Sequence, residues 1–109
     1  MTEAELQAAV IETARLFKWR VHHVKPARTP DGKYLTRIAG DPGFPDLVLA
    51  RDGFVIFAEL KSEGGRLSRD QRAWLTALGD DPDVVRCETA VYVWRPSSWQ
   101  DGTIVGVLR

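Results

Sequence analysis

Three residues on two neighbouring segments could do chemistry together: Asp46, Glu59 and Lys61. The segments Asp46–Arg51 and Phe54–Lys61 are rich in Val, Ile, Leu and Phe, and Asp52-Gly53 separates them. Asp-Gly between two apolar runs is a strong signal for a two-residue hairpin. If Asp52 and Gly53 form the turn, Arg51 pairs with Phe54, and each step outward pairs the next two residues. Five steps out, Asp46 stands opposite Glu59. Directly opposed residues share a face of the sheet, with Cβ atoms roughly 4.5–5.5 Å apart. Two ionised carboxylates at that distance repel. A divalent cation relieves the repulsion, and two carboxylates completed by waters and a phosphate oxygen suit Mg²⁺, with Mn²⁺ as a substitute. Lys61 follows Glu59 by two residues, so a strand puts it on the same face, roughly 6–7 Å further along. A lysine there can hold an attacking water or stabilise charge building on a phosphate. Leu60 points to the other face, into the core, while its main-chain carbonyl is within reach of the cation. The alternative for this cluster is a surface salt bridge, but charges at the ends of such apolar strands cost stability and usually serve a purpose.

The elements that must position these residues can be read along the chain. Leu6, Val10, Ala14 and Phe17 recur at helical spacing, predicting a helix from about Thr2 to Lys18, with Thr2 and Glu5 in a capping-box pattern. Trp19–Val24 reads as a strand, with Trp19, Val21 and His23 on one face and Arg20, His22 and Val24 on the other. At most one of His22 and His23 therefore faces the acidic pair, and a strand-end surface histidine is the favoured reading for both. Lys25–Phe44 is a long proline- and glycine-containing loop, in which Tyr34–Ile38 allows a short strand. Loops of that length in small domains tend to be functional or mobile. Ser68 opens a second helix running to about Leu78, with Trp74, Leu75 and Leu78 on its apolar side, and the acidic stretch Asp80–Asp83 ends it. Thr89–Trp94 reads as a strand, Arg95–Ser98 as a turn that can start a helical turn, and Thr103–Leu108 as a last edge strand. A helix between the hairpin and Thr89–Trp94 allows a crossover back to the sheet, giving a mixed sheet with helices packed on it.

Bulk properties narrow the function classes. A length of 109 residues suits a single domain, 1–109, with one modest core from 44% apolar residues. The single cysteine, Cys87, permits no internal disulfide and no Cys/His zinc spacing. The acidic, polar N-terminus is not a signal peptide, and the apolar runs are too short to span a bilayer. The expected setting is therefore cytoplasmic. Formal net charge is zero, yet between Val10 and Gly40 seven basic residues stand against two acids. A local positive surface can steer a polyanion even on a neutral protein. On the long loop, Lys25, Arg28, Lys33 and Arg37 are candidate phosphate contacts, or equally solvated charges. The tryptophans, Trp99 included, read as core or interface residues rather than base-stacking platforms.

Gly43-Phe44-Pro45-Asp46, Ala58-Glu59-Leu60-Lys61-Ser62, Leu67-Ser68-Arg69-Asp70-Gln71 and Trp74-Leu75 together resemble the PD-(D/E)XK nuclease superfamily, and within it the stand-alone VRR-NUC group of viruses and bacteria. The resemblance runs from the first helix through Val91–Trp94. It implies a restriction-endonuclease-like α/β fold with an αβββαβ core, and metal-dependent hydrolysis of DNA phosphodiesters. It also implies metal ligation by Asp46, Glu59 and the Leu60 carbonyl, catalysis by Lys61, and a helix-borne glutamine at Gln71 beside the site. Small members resemble junction resolvases, which implies a homodimer acting on branched DNA. One position departs from the pattern: where relatives often carry a glutamate on the first helix, this chain has Gln7, with Glu3 one turn earlier. Gln71 has a second reading as the capping-box partner of Ser68, and the two roles are expected to compete. Two other functions stay open: a non-catalytic nucleic-acid-binding module on the same fold, and a protein-interaction subunit.

Overall fold

The computed structural model describes residues 1–24, 27–28, 30–32, 34–35, 39–79 and 89–109. Three of the four loop cations, Lys25, Lys33 and Arg37, lie outside the described residues, as do Cys87 and the acidic stretch 80–83.

Helix α1 spans Glu3–Leu16. Its capping box forms as the sequence predicts: Thr2 Oγ1 accepts from the Glu5 amide, and Glu5 Oε1 accepts from the Thr2 amide. The helix ends with Lys18 at φ 71°, and the Trp19 amide turns back to the Ala14 carbonyl. Strand β1 (Arg20–His23) follows. The long loop then contains a two-stranded ribbon, β2 (Ala27–Arg28) with β3 (Tyr34–Leu35), which places Arg28 by its backbone.

Strands β4 (Leu47–Arg51) and β5 (Phe54–Leu60) form the hairpin. Arg51 pairs with Phe54 and Leu47 with Ala58, the register that the Asp-Gly turn dictates. Asp52 and Gly53 have φ of 52° and 80°, the left-handed backbone such a two-residue turn requires. Helix α2 (Arg69–Leu78) leads to β6 (Thr89–Trp94), which lies parallel to β5. The sheet order is β1-β4-β5-β6. The result is an α/β fold with a mixed sheet flanked by helices, consistent with the restriction-endonuclease-like architecture.

The two faces of the sheet differ. Leu47 and Leu49 of β4, Ile56, Ala58 and Leu60 of β5, and Trp94 of β6 are buried with Leu6, Val10 and Ala14 of α1. The alternate residues, Val48, Val55 and Phe57, are half-buried on the opposite side. There the Phe44 ring bridges Phe57 and Trp74 of α2, edge-on to both.

One sequence expectation is overturned. Thr103–Leu108 is not an edge strand but helix α4, preceded by the short helix α3 (Pro96–Gln100). The run Ile-Val-Gly-Val favours a strand by intrinsic preference, but that preference yields to context. Gly102, at φ 83°, redirects the chain, and Asp101 Oδ1 accepts from the Thr103 amide. Ile104 and Leu108, four residues apart, are then both fully buried in the α1 core. The Leu108 carbonyl is held by Trp19 Nε1 at 2.9 Å and by the Arg51 guanidinium at 3.1 Å.

Candidate functional site

Asp46 sits one residue before β4, and Glu59 is the penultimate residue of β5. The pairing that ends at Leu47 and Ala58 delivers them to one place. Asp46 Oδ2 accepts the Leu60 amide at 2.9 Å, which holds that carboxylate against the end of β5. Glu59 is 2% exposed, the one charged side chain among the described residues in the fully buried class. Burial drives its carboxyl up from 4.5 to about 8. The nearby Asp46 carboxylate adds to the shift, Lys61 opposes it, and Glu3 contributes a further push. With its carboxyl raised to about 8, Glu59 holds a proton at neutral pH. Without a cation the pair thus relieves its repulsion by keeping one.

Lys61 lies just beyond β5, half-buried, with its amide bonded to the Trp94 carbonyl at 3.0 Å. Two residues after Glu59, it falls on the same face of β5, and its charge opposes the rise of the Glu59 carboxyl.

Gln71 does both things the sequence suggested it could. Its Oε1 accepts from the Ser68 amide at 2.8 Å, completing the capping box, while its Nε2 donates to Glu59 Oε1 at 3.1 Å. The expected competition between these roles does not arise, because the amide's oxygen and nitrogen face different partners.

Gln7 is placed differently. Its Nε2 meets His23 Nε2 at 3.0 Å, and His23 Nδ1 meets the Asp46 carbonyl at 3.1 Å. The carbonyl can only accept, so Nδ1 carries the hydrogen and Nε2 receives the Gln7 amide hydrogen. Because His23 pairs with Leu47, its side chain shares the core face with α1, whereas Glu59 alternates to the α2 face. Gln7 thus supports the main chain of Asp46 through His23. The preference for a solvated histidine is correct for His22, which is exposed, and wrong for His23.

Sequence reasoning missed Arg95. Its guanidinium Nη1 donates to the carbonyls of Ser62 and Gly65, each at 2.7 Å, and of Glu63 at 3.2 Å. The Glu63 carboxylate in turn accepts from the Ser97 amide. These bonds fix the loop that leaves Lys61. They join residues some thirty positions apart, and no local pattern announces them.

Beside Asp46 the chain from Ala39 to Pro45 and Trp74 line a cleft of about 700 Å³. Gly43 has φ 95°, and a Cβ there would lie 2.6 Å from the Asp70 carbonyl carbon, so the loop packs directly on the start of α2.

As a donor set the site has two hard carboxylates. Among the described residues no group of three or more His, Cys, Asp or Glu side chains gathers to hold a metal. Two carboxylates fit Mg²⁺, which retains several of its own waters. They fit Zn²⁺ poorly, since it takes three or four protein ligands.

The family model of the VRR-NUC domain matches residues 4–92. No curated protein and no solved structure matches the chain.

Proposed function

The chain belongs to the VRR-NUC family of the PD-(D/E)XK nuclease superfamily, and from that membership we propose that it is a magnesium-dependent endonuclease for branched or junction DNA, working as a homodimer. A nuclease of this type acts on DNA, and its superfamily generally uses divalent metals. The observation that carries the reading is the buried Glu59 carboxyl, held by Gln71, brought by the hairpin register beside the Asp46 carboxylate, which the Leu60 amide holds.

Asp46 and Glu59 would hold the cation, with the Leu60 carbonyl as an additional oxygen. When bound, the metal supplies charge at the phosphate and lowers the pKa of its water. Lys61 donates to the attacking water or to a non-bridging phosphate oxygen, holding nucleophile and phosphorus in line. Gln71 fixes the rotamer of Glu59, and the Leu60 amide fixes that of Asp46. Lys25, Arg28, Lys33 and Arg37 guide the phosphate backbone toward the acids. A branched substrate presents three or more arms, more than one domain of 109 residues would grip, which supports the dimer.

The test is incubation with supercoiled plasmid, linear duplex, single-stranded DNA and a four-way junction, with and without Mg²⁺. Cleavage should require Mg²⁺ and be fastest on the junction. Asp46→Ala should abolish it while leaving DNA binding largely intact. Equal cutting by Asp46→Ala overturns the site assignment, and equal rates on all four DNAs overturn the substrate preference.

A further inference from the structure

The cleft beside Asp46 has no part in the chemistry described above. Its walls are mostly apolar, with Val24, Phe44, Pro45 and Trp74 among them, and Asp41 and Asp46 also belong to the lining. Met1, Leu16, Val24, Phe44 and Phe54 are the exposed large apolar side chains among the described residues, and Val24 and Phe44 both fall in this cleft. Leaving Phe44 42% exposed sacrifices burial that its contacts with Phe57 and Trp74 would otherwise extend. The walls are also fixed in advance. Trp74 Nε1 donates to the Asp41 carbonyl at 3.1 Å, and the tight seat of Gly43 on Asp70 locks the loop to α2. Across Asp41, Pro42 and Trp74 a second groove adjoins, lined by Arg69.

We propose that this cleft receives one unstacked nucleobase of the DNA, the base next to the phosphate held at Asp46 and Glu59. The inference rests on the endonuclease reading and narrows it to DNA in which a base beside the cut is unpaired or can be extruded. A base offers flat apolar faces and a polar edge. Phe44 and Trp74, whose rings stand at right angles 5.0 Å apart, supply a stacking surface for one face of the base and an edge contact beside it, and Asp41 in the lining is the residue that can accept from the amino groups of the base's edge. Asp46 belongs to both the cleft and the acid pair, so a nucleotide whose phosphate meets the acids has its base within reach of the cleft. Arg69 in the adjoining groove provides a cation for the phosphate that continues the strand.

A double-mutant cycle in binding tests this. The dissociation constant is measured by fluorescence anisotropy in Mg²⁺, on a Lys61→Ala background to hold back cleavage. The DNA is a four-way junction in which an abasic site is moved one nucleotide at a time through the crossover. The protein carries Phe44, Phe44→Leu or Phe44→Tyr. At one position the abasic site should weaken binding about tenfold, within the range of one base–aromatic stack. Phe44→Leu should lose about as much on the intact DNA and lose nothing more on that abasic DNA. Phe44→Tyr should restore both affinity and sensitivity. Phe44→Leu keeps apolar volume, and matching unfolding midpoints with the parent confirm its fold. Additive losses at every position overturn the proposal, as does a Phe44→Leu protein that binds like the parent. Cleavage by the Lys61-containing protein is scored separately. Non-additivity without any cleavage sustains the base cleft and sinks the endonuclease reading, whereas cleavage with strict additivity does the reverse.

Discussion

Gln71 Nε2 donates to Glu59 Oε1 at 3.1 Å while the same side chain closes the cap of α2 through Ser68. The rotamer of a buried acid is thereby tied to the start of a helix. Separating the two duties should be possible by mutation. Gln71→Glu retains an oxygen for the Ser68 amide, so the helix cap survives, but it brings a negative charge against Glu59. Gln71→Ala removes both bonds. The cap should cost Gln71→Ala about 1 kcal/mol in urea unfolding. Both variants should slow cleavage by roughly 10- to 100-fold, the worth of a hydrogen bond to a charged group. Full activity in Gln71→Glu would show that Gln71 serves the helix alone.

Glu59 makes the metal-free protein sensitive to pH. Burial first, then Asp46, raises its carboxyl from 4.5 to about 8. Between those values the folded state holds a proton that the unfolded state has released. Stability from this group is therefore fully present below 4.5, falls as pH rises through the window and levels off above 8. Glu59→Gln removes that dependence, so the difference in Tm between variant and parent should grow from pH 5.5 to pH 8.5. A metal on the carboxylates must displace the proton. The Tm increase on adding Mg²⁺ should accordingly be larger at pH 8 than at pH 6. A magnesium shift independent of pH would argue against ligation by Glu59.

Arg95 grips the carbonyls of Ser62, Glu63 and Gly65 at 2.7–3.2 Å. All three bonds leave one nitrogen, Nη1, and the lysine ammonium, one bond shorter on its stem, does not reach the same point. Arg95→Lys should loosen the loop after Lys61, lowering kcat about tenfold with KM little changed, the signature of a misplaced catalytic group rather than lost substrate contact. An effect on KM alone would assign Arg95 to DNA binding.

Gly43 and Gly53 both have left-handed backbone, with φ of 95° and 80°. A Cβ at Gly53 meets nothing within 4 Å, whereas at Gly43 it strikes the main chain of Asp70 at 2.6 Å. Gly53→Ala should cost about 1–2 kcal/mol from backbone strain alone. Gly43→Ala should cost more and should also perturb the fluorescence of Trp74, since the loop must lift from α2. Chemical denaturation of both variants ranks them, and equal losses would show that the loop yields freely.

What the sequence determined by itself was local. The Asp-Gly turn and the two-residue period of strands set the hairpin register, and so the meeting of Asp46 with Glu59 and the side on which Lys61 lies. Both capping boxes follow from residues three apart. Other features depend on segments far apart in the chain, and only the tertiary structure decided them. The β-branched run at Thr103–Leu108 became a helix because Ile104 and Leu108 found the α1 core, a gain no local preference registers. Gln7 was taken by His23 because the β1–β4 register puts the His23 ring on the α1 side of the sheet, within hydrogen-bond distance of it. Gln71 could serve both partners because the packing of α2 beside β5 set its nitrogen toward Glu59 while its oxygen stayed on the cap. In each case a segment distant in the chain decided the outcome, by apolar burial for Ile104 and Leu108 and by hydrogen bonds of about 3 Å for Gln7 and Gln71.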